Sequence, residues 1–89
     1  MKDLHPIIAE NLALLRKSSG LTQAQLAERL GYSDKVVSRW EKGDALPDIN
    51  VLYELCDFYS IRMDTLLEKG GGQDARQVRT KDSMQYSVV

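Results

Sequence analysis

Cysteine and histidine are almost absent from this 89-residue sequence, which contains only Cys56 and His5. A single thiol cannot form an internal disulfide, so the fold does not depend on an oxidising compartment. The two residues are far apart in sequence, and the sequence shows no metal-ligand cluster, no nucleophile–base pair and no phosphate-binding loop. We therefore expect a protein that is not an enzyme and needs no cofactor. Cys56 lies in a helical pattern and is interpreted as a small buried hydrophobe rather than a reactive nucleophile.

Long apolar segments are also lacking. No apolar run approaches the roughly 20 residues that are needed to cross a bilayer, and the N-terminus lacks the apolar stretch of a signal peptide. The chain has the length of one domain, and its 43% hydrophobic and 28% charged residues are typical of a soluble globular protein. We therefore expect a cytoplasmic protein with no membrane partner.

Charge of one sign does not dominate, since the net charge is −1, but the charges are unevenly distributed. Residues 1–43 carry a net charge of +2, residues 44–70 carry −4 and residues 71–89 carry +1. This uneven charge distribution would allow a basic face of the protein to contact phosphates while the acidic part lies on another side.

Helical periodicity predicts an all-α, compact five-helix fold over residues 1–69. Ile8, Leu12 and Leu15 recur at i, i+4 and i+7 and indicate the first helix. Thr22 and Gln25 form a capping-box pattern, which predicts that the second helix begins there.

The third helix is expected over residues 33–41 with Ser33 as its N-cap, and the fourth begins after a third N-cap, Asp48, since Thr22 caps the second helix. A short fifth helix is expected over about residues 63–68. The inward face of the fourth helix is expected to consist of Ile49, Leu52, Leu55, Cys56 and Tyr59.

Three consecutive glycines at positions 70–72 end the expected domain, since such a run holds no structure by itself. Residues 70–89 are therefore expected to form a glycine linker and a tail. Two interpretations stay open for residues 73–89. They are disordered, or they form a strand that pairs with a partner chain or a second copy, because residues 78–80 and 84–89 have some strand character.

Two short helices joined by Gly31, Tyr32 and Ser33 are typical of a helix-turn-helix. Ala27 is small where the two helices would cross closely, and Gly31 permits the backbone angle of a sharp turn. The residues expected to fill the angle between the helices are Leu26, Leu30, Val37 and Trp40. A plain helical hairpin would explain the apolar residues, but not all these spacings together.

At these residues the chain resembles the helix-turn-helix regulators of the lambdoid phage repressor, Cro and xenobiotic-response-element type. The matching stretches are residues 21–27, 30–33 and 37–43, while Pro47 and residues 61–67 fit the second half of that domain. The resemblance covers about residues 7–68 and implies a DNA-binding domain whose third helix lies in the major groove.

The resemblance implies that the third helix reads base edges, with contact residues Ser33, Asp34, Lys35, Val36, Ser38 and Arg39. Arg39 can donate two parallel hydrogen bonds to guanine, and Lys35 can contact guanine or a phosphate. For Val36 two interpretations stay open, contact with a thymine methyl group or partial burial. Two interpretations also stay open for Asp34. It accepts a hydrogen bond from a cytosine amine, or it caps the helix.

Phosphate contacts are implied for Gln23, at the start of the second helix, and for Lys42, just past the third. The resemblance also implies an ion pair between Arg16 and Glu41, which would tie the first helix to the end of the third. The alternative is two solvated surface charges.

Together these features predict a sequence-specific transcriptional regulator, a repressor, that binds double-stranded DNA. One such helix reads few base pairs, so we expect a homodimer on a two-fold operator with half-sites about 34 Å apart. The dimer side is expected within residues 49–67. The alternative is an antitoxin-like or other protein-interaction module, with residues 73–89 as the partner-binding segment.

Overall fold

The computed structural model describes residues 3–72, which form five α-helices and no strand. The helices are α1 (His5–Ser18), α2 (Gln23–Leu30), α3 (Asp34–Lys42), α4 (Ile49–Tyr59) and α5 (Met63–Leu66). The expected all-α, five-helix fold is confirmed, with α5 ending two residues earlier than expected. Residues 73–89 lie outside the described part, so both interpretations of the tail stay predictions.

Helices α2, α3 and α4 begin where the capping side chains predict. The Thr22 hydroxyl accepts a hydrogen bond from the Gln25 amide (3.1 Å), and the Gln25 side chain accepts one from the Thr22 amide (2.9 Å). Ser33 Oγ accepts from the third amide of α3 at 3.3 Å, and Asp48 Oδ1 accepts from Val51 at 3.0 Å. Each cap satisfies an amide that has no carbonyl partner within its own helix.

The turn between α2 and α3 depends on Gly31, whose φ of 80° lies in the left-handed region that favours glycine. After this sharp turn α3 packs back on α2, and α3 also packs on α1. The angle between α2 and α3 is filled by buried Leu26, Val37 and Trp40 and by half-buried Leu30, as expected.

The core draws on all five helices. It consists of Ile8, Leu12, Leu15, Leu26, Ala27, Val37, Trp40, Val51, Leu55, Cys56, Tyr59 and Leu66. Cys56 is buried among these apolar side chains, and this burial raises the pKa of its thiol. A raised pKa keeps the thiol protonated and unreactive, which agrees with its interpretation as a small hydrophobe.

The outer face of α4 differs from the expectation. Ile49 was expected to face inward but is 67% exposed, because Val51 occupies the inward position of the first turn. One turn further along, Tyr53 is 69% exposed. Phe58, near the end of the helix, is 37% exposed, so α4 presents three large hydrophobic side chains to solvent. No helix within residues 3–72 is long and apolar enough to cross a membrane.

The packed part of the chain extends through Gly72, beyond the expected boundary at residue 69. Asn11 is fully buried, and its Nδ2 donates to the carbonyl oxygens of Leu66 (2.8 Å) and Glu68 (2.7 Å). Its Oδ1 accepts from the Gly72 amide at 2.8 Å. Gly71 is also buried, and a Cβ there would collide with the carbonyl oxygen of Thr65. These glycines permit close backbone packing, and the division of the chain into a domain and a tail stays a prediction.

Candidate nucleic-acid interface

Helix α3 separates its buried and its outward residues by helical periodicity. Lys35, Ser38, Arg39 and Lys42 recur at i, i+3, i+4 and i+7, so they share one face. Lys35, Arg39 and Lys42 are exposed, and Ser38 is half-buried. On the other side Val37 and Trp40 are buried. Packing against α1 and α2 therefore fixes which side of α3 faces outward.

The outward face of α3 and the start of α2 together form one open depression. It is lined by Gln23, Asp34, Lys35, Ser38, Arg39 and Lys42. These are six of the eight residues for which the sequence predicted DNA contacts. The lining contains three cationic side chains and one carboxylate, so the depression carries positive charge suited to an anionic ligand.

The other two predicted contact residues, Ser33 and Val36, do not line the depression. Ser33 is exposed, and its hydroxyl accepts the hydrogen bond that caps α3. Val36 is half-buried and packs against the core. The structure thus shows the partial burial that was one interpretation of Val36.

Asp34 lies exposed in the first turn of α3, where its negative charge is near the positive end of the helix dipole. The side-chain hydrogen bond that caps this helix comes from Ser33 and not from Asp34. Asp34 therefore contributes charge at the helix start, and its carboxylate lines the depression.

The ion pair between Arg16 and Glu41 is present and largely buried. Arg16 Nε donates to Glu41 Oε2 at 2.8 Å, and Arg16 Nη2 donates to Glu41 Oε1 at 3.0 Å. The two side chains are only 12% and 6% exposed, so the alternative of two solvated charges is wrong. Hydrogen bonding to Glu41 raises the pKa of Arg16. The bidentate pair joins the last turn of α1 to the last turn of α3.

Two further residues, Gln23 and Tyr59, lie near this pair, and the sequence predicted neither of them there. Gln23 Nε2 donates to Glu41 Oε1 at 3.1 Å. Tyr59 of α4 is buried, and its hydroxyl has no hydrogen-bond partner among residues 3–72. Burial, followed by the negative charge of Glu41, raises the pKa of Tyr59 to about 12. Gln23 and Tyr59 each lie 18 positions from Glu41 in sequence, so no local spacing indicates that either is near it.

Comparison with known proteins identifies helix-turn-helix regulators as relatives. A family model described as helix-turn-helix matches residues 12–66. The chain is 41% identical over 58 residues to the HTH-type transcriptional activator BcrR of Enterococcus faecalis. It is 38% identical over 53 residues to the uncharacterized HTH-type transcriptional regulator y4dJ of Sinorhizobium fredii. It is 37% identical over 59 residues to the cryptic phage CTXphi transcriptional repressor RstR of Vibrio cholerae.

These similarities cover 65%, 60% and 66% of the chain, respectively. They span 28% of BcrR, 69% of y4dJ and 53% of RstR, so two of these relatives are much longer than the matched region. No solved structure matches the chain at a significant level. The relatives bear the names of transcriptional regulators. The residues that match the family model, 12–66, include all those that line the depression.

Proposed function

The chain belongs to the helix-turn-helix family of phage-repressor-like regulators, and on that premise we propose that it binds double-stranded DNA sequence-specifically as a transcriptional regulator. Residues 33–41 act as the recognition helix in the major groove, which is wide enough to admit an α-helix. The observation that carries this proposal is the positively charged depression, because it brings six predicted contact residues from two helices onto one exposed face.

Residues of the recognition helix carry the sequence preference. Arg39 is exposed on the outward stripe, and its planar guanidinium can donate two hydrogen bonds to O6 and N7 of guanine. Lys35, one turn earlier, contacts a second base or a phosphate, while Ser38 lies between them. Asp34 accepts from a cytosine amine. Val36 offers its exposed part to a thymine methyl group, and Ser33 lies at the helix start.

Phosphate contacts hold the recognition helix in register. Gln23 lies at the first position of α2, where the amides of the first turn have no carbonyl partner within the helix. Its side-chain amide and these backbone amides donate to one phosphate, with the helix dipole adding to the attraction. Lys42, exposed at the end of α3, neutralises a second phosphate.

The protein acts as a homodimer on a two-fold operator, with half-sites about 34 Å apart. Exposed Ile49 and Tyr53 on α4 support a dimer side within residues 49–67, since burial of both against a second copy would remove apolar surface from water. Regulation is repression. The relatives include both a repressor and an activator.

Selection of bound sequences from a random DNA pool tests the proposal. The expected result is a palindromic consensus, with affinity that falls steeply as salt concentration rises. Arg39→Ala should weaken binding about tenfold or more and relax the preference at one position of each half-site. The matched control is Arg29→Ala, an exposed arginine of α2 outside the depression, which should leave the base preference unchanged. Absence of salt-dependent binding, or equal effects of both variants, would refute the proposal.

A further inference from the structure

We propose that Glu41 is a positioning residue for DNA binding, because its carboxylate holds the Gln23 side chain in the orientation that contacts phosphate. The inference rests on the proposed function and deepens it. It assigns to a residue that does not line the depression a role in the contacts made there. Glu41 acts through Gln23, which does line it.

The carboxylate of Glu41 is well suited to hold a neighbour in place. Its side chain is only 6% exposed, and it receives two hydrogen bonds from Arg16 at 2.8 and 3.0 Å. The Arg16 guanidinium is planar and rigid, so a bidentate contact fixes the carboxylate in direction as well as in position. Gln23 therefore meets an acceptor that is already immobile.

The chemistry of the contact determines how the Gln23 amide is oriented. An ionised carboxylate has only acceptor atoms, so the group that faces Glu41 Oε1 at 3.1 Å must be the Nε2 donor. The second N–H of Nε2 and the carbonyl Oε1 of Gln23 are then left for the depression. The amide turned the other way would place its oxygen against the Glu41 carboxylate, so Glu41 fixes one of the two orientations and leaves one N–H of Nε2 as a donor for a phosphate oxygen.

Arg16 also holds the backbone that leads into α2. Its Nη1 donates to the carbonyl oxygen of Leu21 at 2.8 Å, two residues before Gln23. One guanidinium thus supports the main chain at the entrance of α2 and, through Glu41, the side chain of its first residue. Glu41 lies in the last turn of α3. Its contact with Gln23 therefore fixes the position of the phosphate-binding side chain relative to the recognition helix already in the free protein.

Order established before binding lowers the entropy that binding must remove. A glutamine side chain has three rotatable bonds and is among the more flexible ones. When it is already held by Glu41, less conformational freedom is lost on contact with phosphate, so affinity rises without any new contact to DNA. A purely structural role of Glu41 predicts a different result. Substitution of Glu41 would then lower the stability of the fold, but it would not remove the contact with one particular phosphate.

A double-mutant cycle on the selected operator distinguishes the two roles. The variants are Glu41→Gln, Gln23→Ala and their combination. Each is compared at one salt concentration and at a temperature where circular dichroism shows a folded chain. Glu41→Gln should weaken binding about threefold to tenfold, the range of one hydrogen bond, and should have no further effect in the Gln23→Ala background. Phosphate-ethylation interference should disappear at the same phosphate of each half-site in both single variants.

The matched control is Gln25→Ala, a second glutamine in the first turn of α2, whose side chain bonds the Thr22 amide and not Glu41. Its effect on affinity should add to that of Glu41→Gln. If Glu41→Gln does not fold, Glu41→Asp keeps the charge beside Arg16 and withdraws the carboxylate from Gln23 by one methylene group. The same loss of interference is then expected.

Wild-type affinity in a folded Glu41 variant, or an undiminished effect of that variant in the Gln23→Ala background, would overturn the inference while the proposed function stands. A wild-type chain that binds no DNA would overturn the proposed function itself, and with it the inference.

Discussion

Helix α1 carries a buried polar side chain on each of two faces, and the two sides are stabilised by different chemistry. Arg16 and Asn11 are five positions apart, which separates them by roughly 140° around the helix. On one side Arg16 forms a charged contact with the side chain of Glu41 on α3. On the other, the neutral amide of Asn11 bonds backbone atoms at the C-terminal end of the described chain, Leu66, Glu68 and Gly72.

The Arg16 contacts and the Asn11 contacts differ in the partners that they require and in the part of the fold that they hold. A buried charge is tolerated only when it is paired, so the Arg16 side needs all its partners together. In return it connects residues of α1, α2 and α3 beneath the proposed DNA-contacting face. The Asn11 side uses one polar side chain, because its partners are backbone groups, but it requires glycine at positions 71 and 72, where a Cβ would meet neighbouring backbone. The first arrangement couples side chains to a function, and the second fixes the course of the chain.

The largest effect is expected from Arg16→Met, which leaves Glu41 buried without its counterion. Loss of one partner of a buried pair costs roughly 3–5 kcal/mol in the free energy of unfolding. Urea denaturation followed by the fluorescence of Trp40 measures it. The control is Lys17→Met, an exposed neighbouring cation, with an expected change within about 0.5 kcal/mol. Similar losses in both variants would mean that the pair is not buried in solution.

Asn11→Ala comes next, with an expected loss of about 2–4 kcal/mol. It leaves the Leu66 carbonyl and the Gly72 amide without their partner, while the Glu68 carbonyl still accepts from the Gly71 amide. Each buried unsatisfied group costs about 1–3 kcal/mol unless water reaches it. The same denaturation experiment measures this loss. Asn50→Ala is the matched control, since Asn50 is exposed in the first turn of α4. An Asn11 variant as stable as the control would contradict the contact with α5 and Gly72.

Gly71→Ala should cost about 1–3 kcal/mol, the usual penalty for an extra methyl group in a packed site. The added Cβ would meet the backbone of Thr65, which cannot rotate away as a side chain could. Combination with Asn11→Ala sharpens this prediction. Once the Asn11 hydrogen bonds are lost, the glycine segment can move away, so the double variant should lose less than the sum of both losses. Strict additivity would show that Gly71 packs independently of Asn11.

The local part of this architecture could be predicted from the sequence. Caps act over three residues, so Thr22 and Ser33 indicated the helix starts that the structure shows. The spacing of α3 likewise separated buried Val37 and Trp40 from the outward stripe. The Arg16–Glu41 pair was predicted from a family resemblance, since no pattern in a single sequence joins residues 25 positions apart.

Contacts over long sequence distances escaped prediction. Asn11 bonds residues 55 to 61 positions away, and an asparagine in a helix gives no sign of such partners. Glycines 70–72 were interpreted as a linker because composition indicates backbone freedom but not what the backbone approaches. Ile49 was placed inward by its apolar character, although burial depends on whether another element covers that turn. The link from Gln23 to Glu41 requires the α2–α3 angle, which the sequence does not specify.

The smallest effect at neutral pH is expected for Tyr59→Phe. The Tyr59 hydroxyl lies on the Arg16 side and is buried without a hydrogen-bond partner, whereas Asn11 is bonded through both its polar atoms. Removal of an unpartnered hydroxyl costs no hydrogen bond and avoids its desolvation, so stability should stay equal or rise by up to about 1 kcal/mol. Tyr53→Phe on the exposed face of α4 is the control. A loss above about 1 kcal/mol would mean that the hydroxyl has a partner in solution.

The pH dependence of stability gives a further test of Tyr59→Phe. The pKa of Tyr59 is raised to about 12 in the folded chain from its ordinary value of 10.0, because burial disfavours the phenolate. As pH rises through 10, the unfolded chain loses this proton first, which favours unfolding. The contribution of neutral Tyr59 is therefore fully present below pH 10 and is lost as pH approaches 12. Tyr59→Phe lacks this titration, so its stability relative to wild type should increase over that range. Parallel pH profiles for wild type and Tyr59→Phe would show that the Arg16 side is open to water.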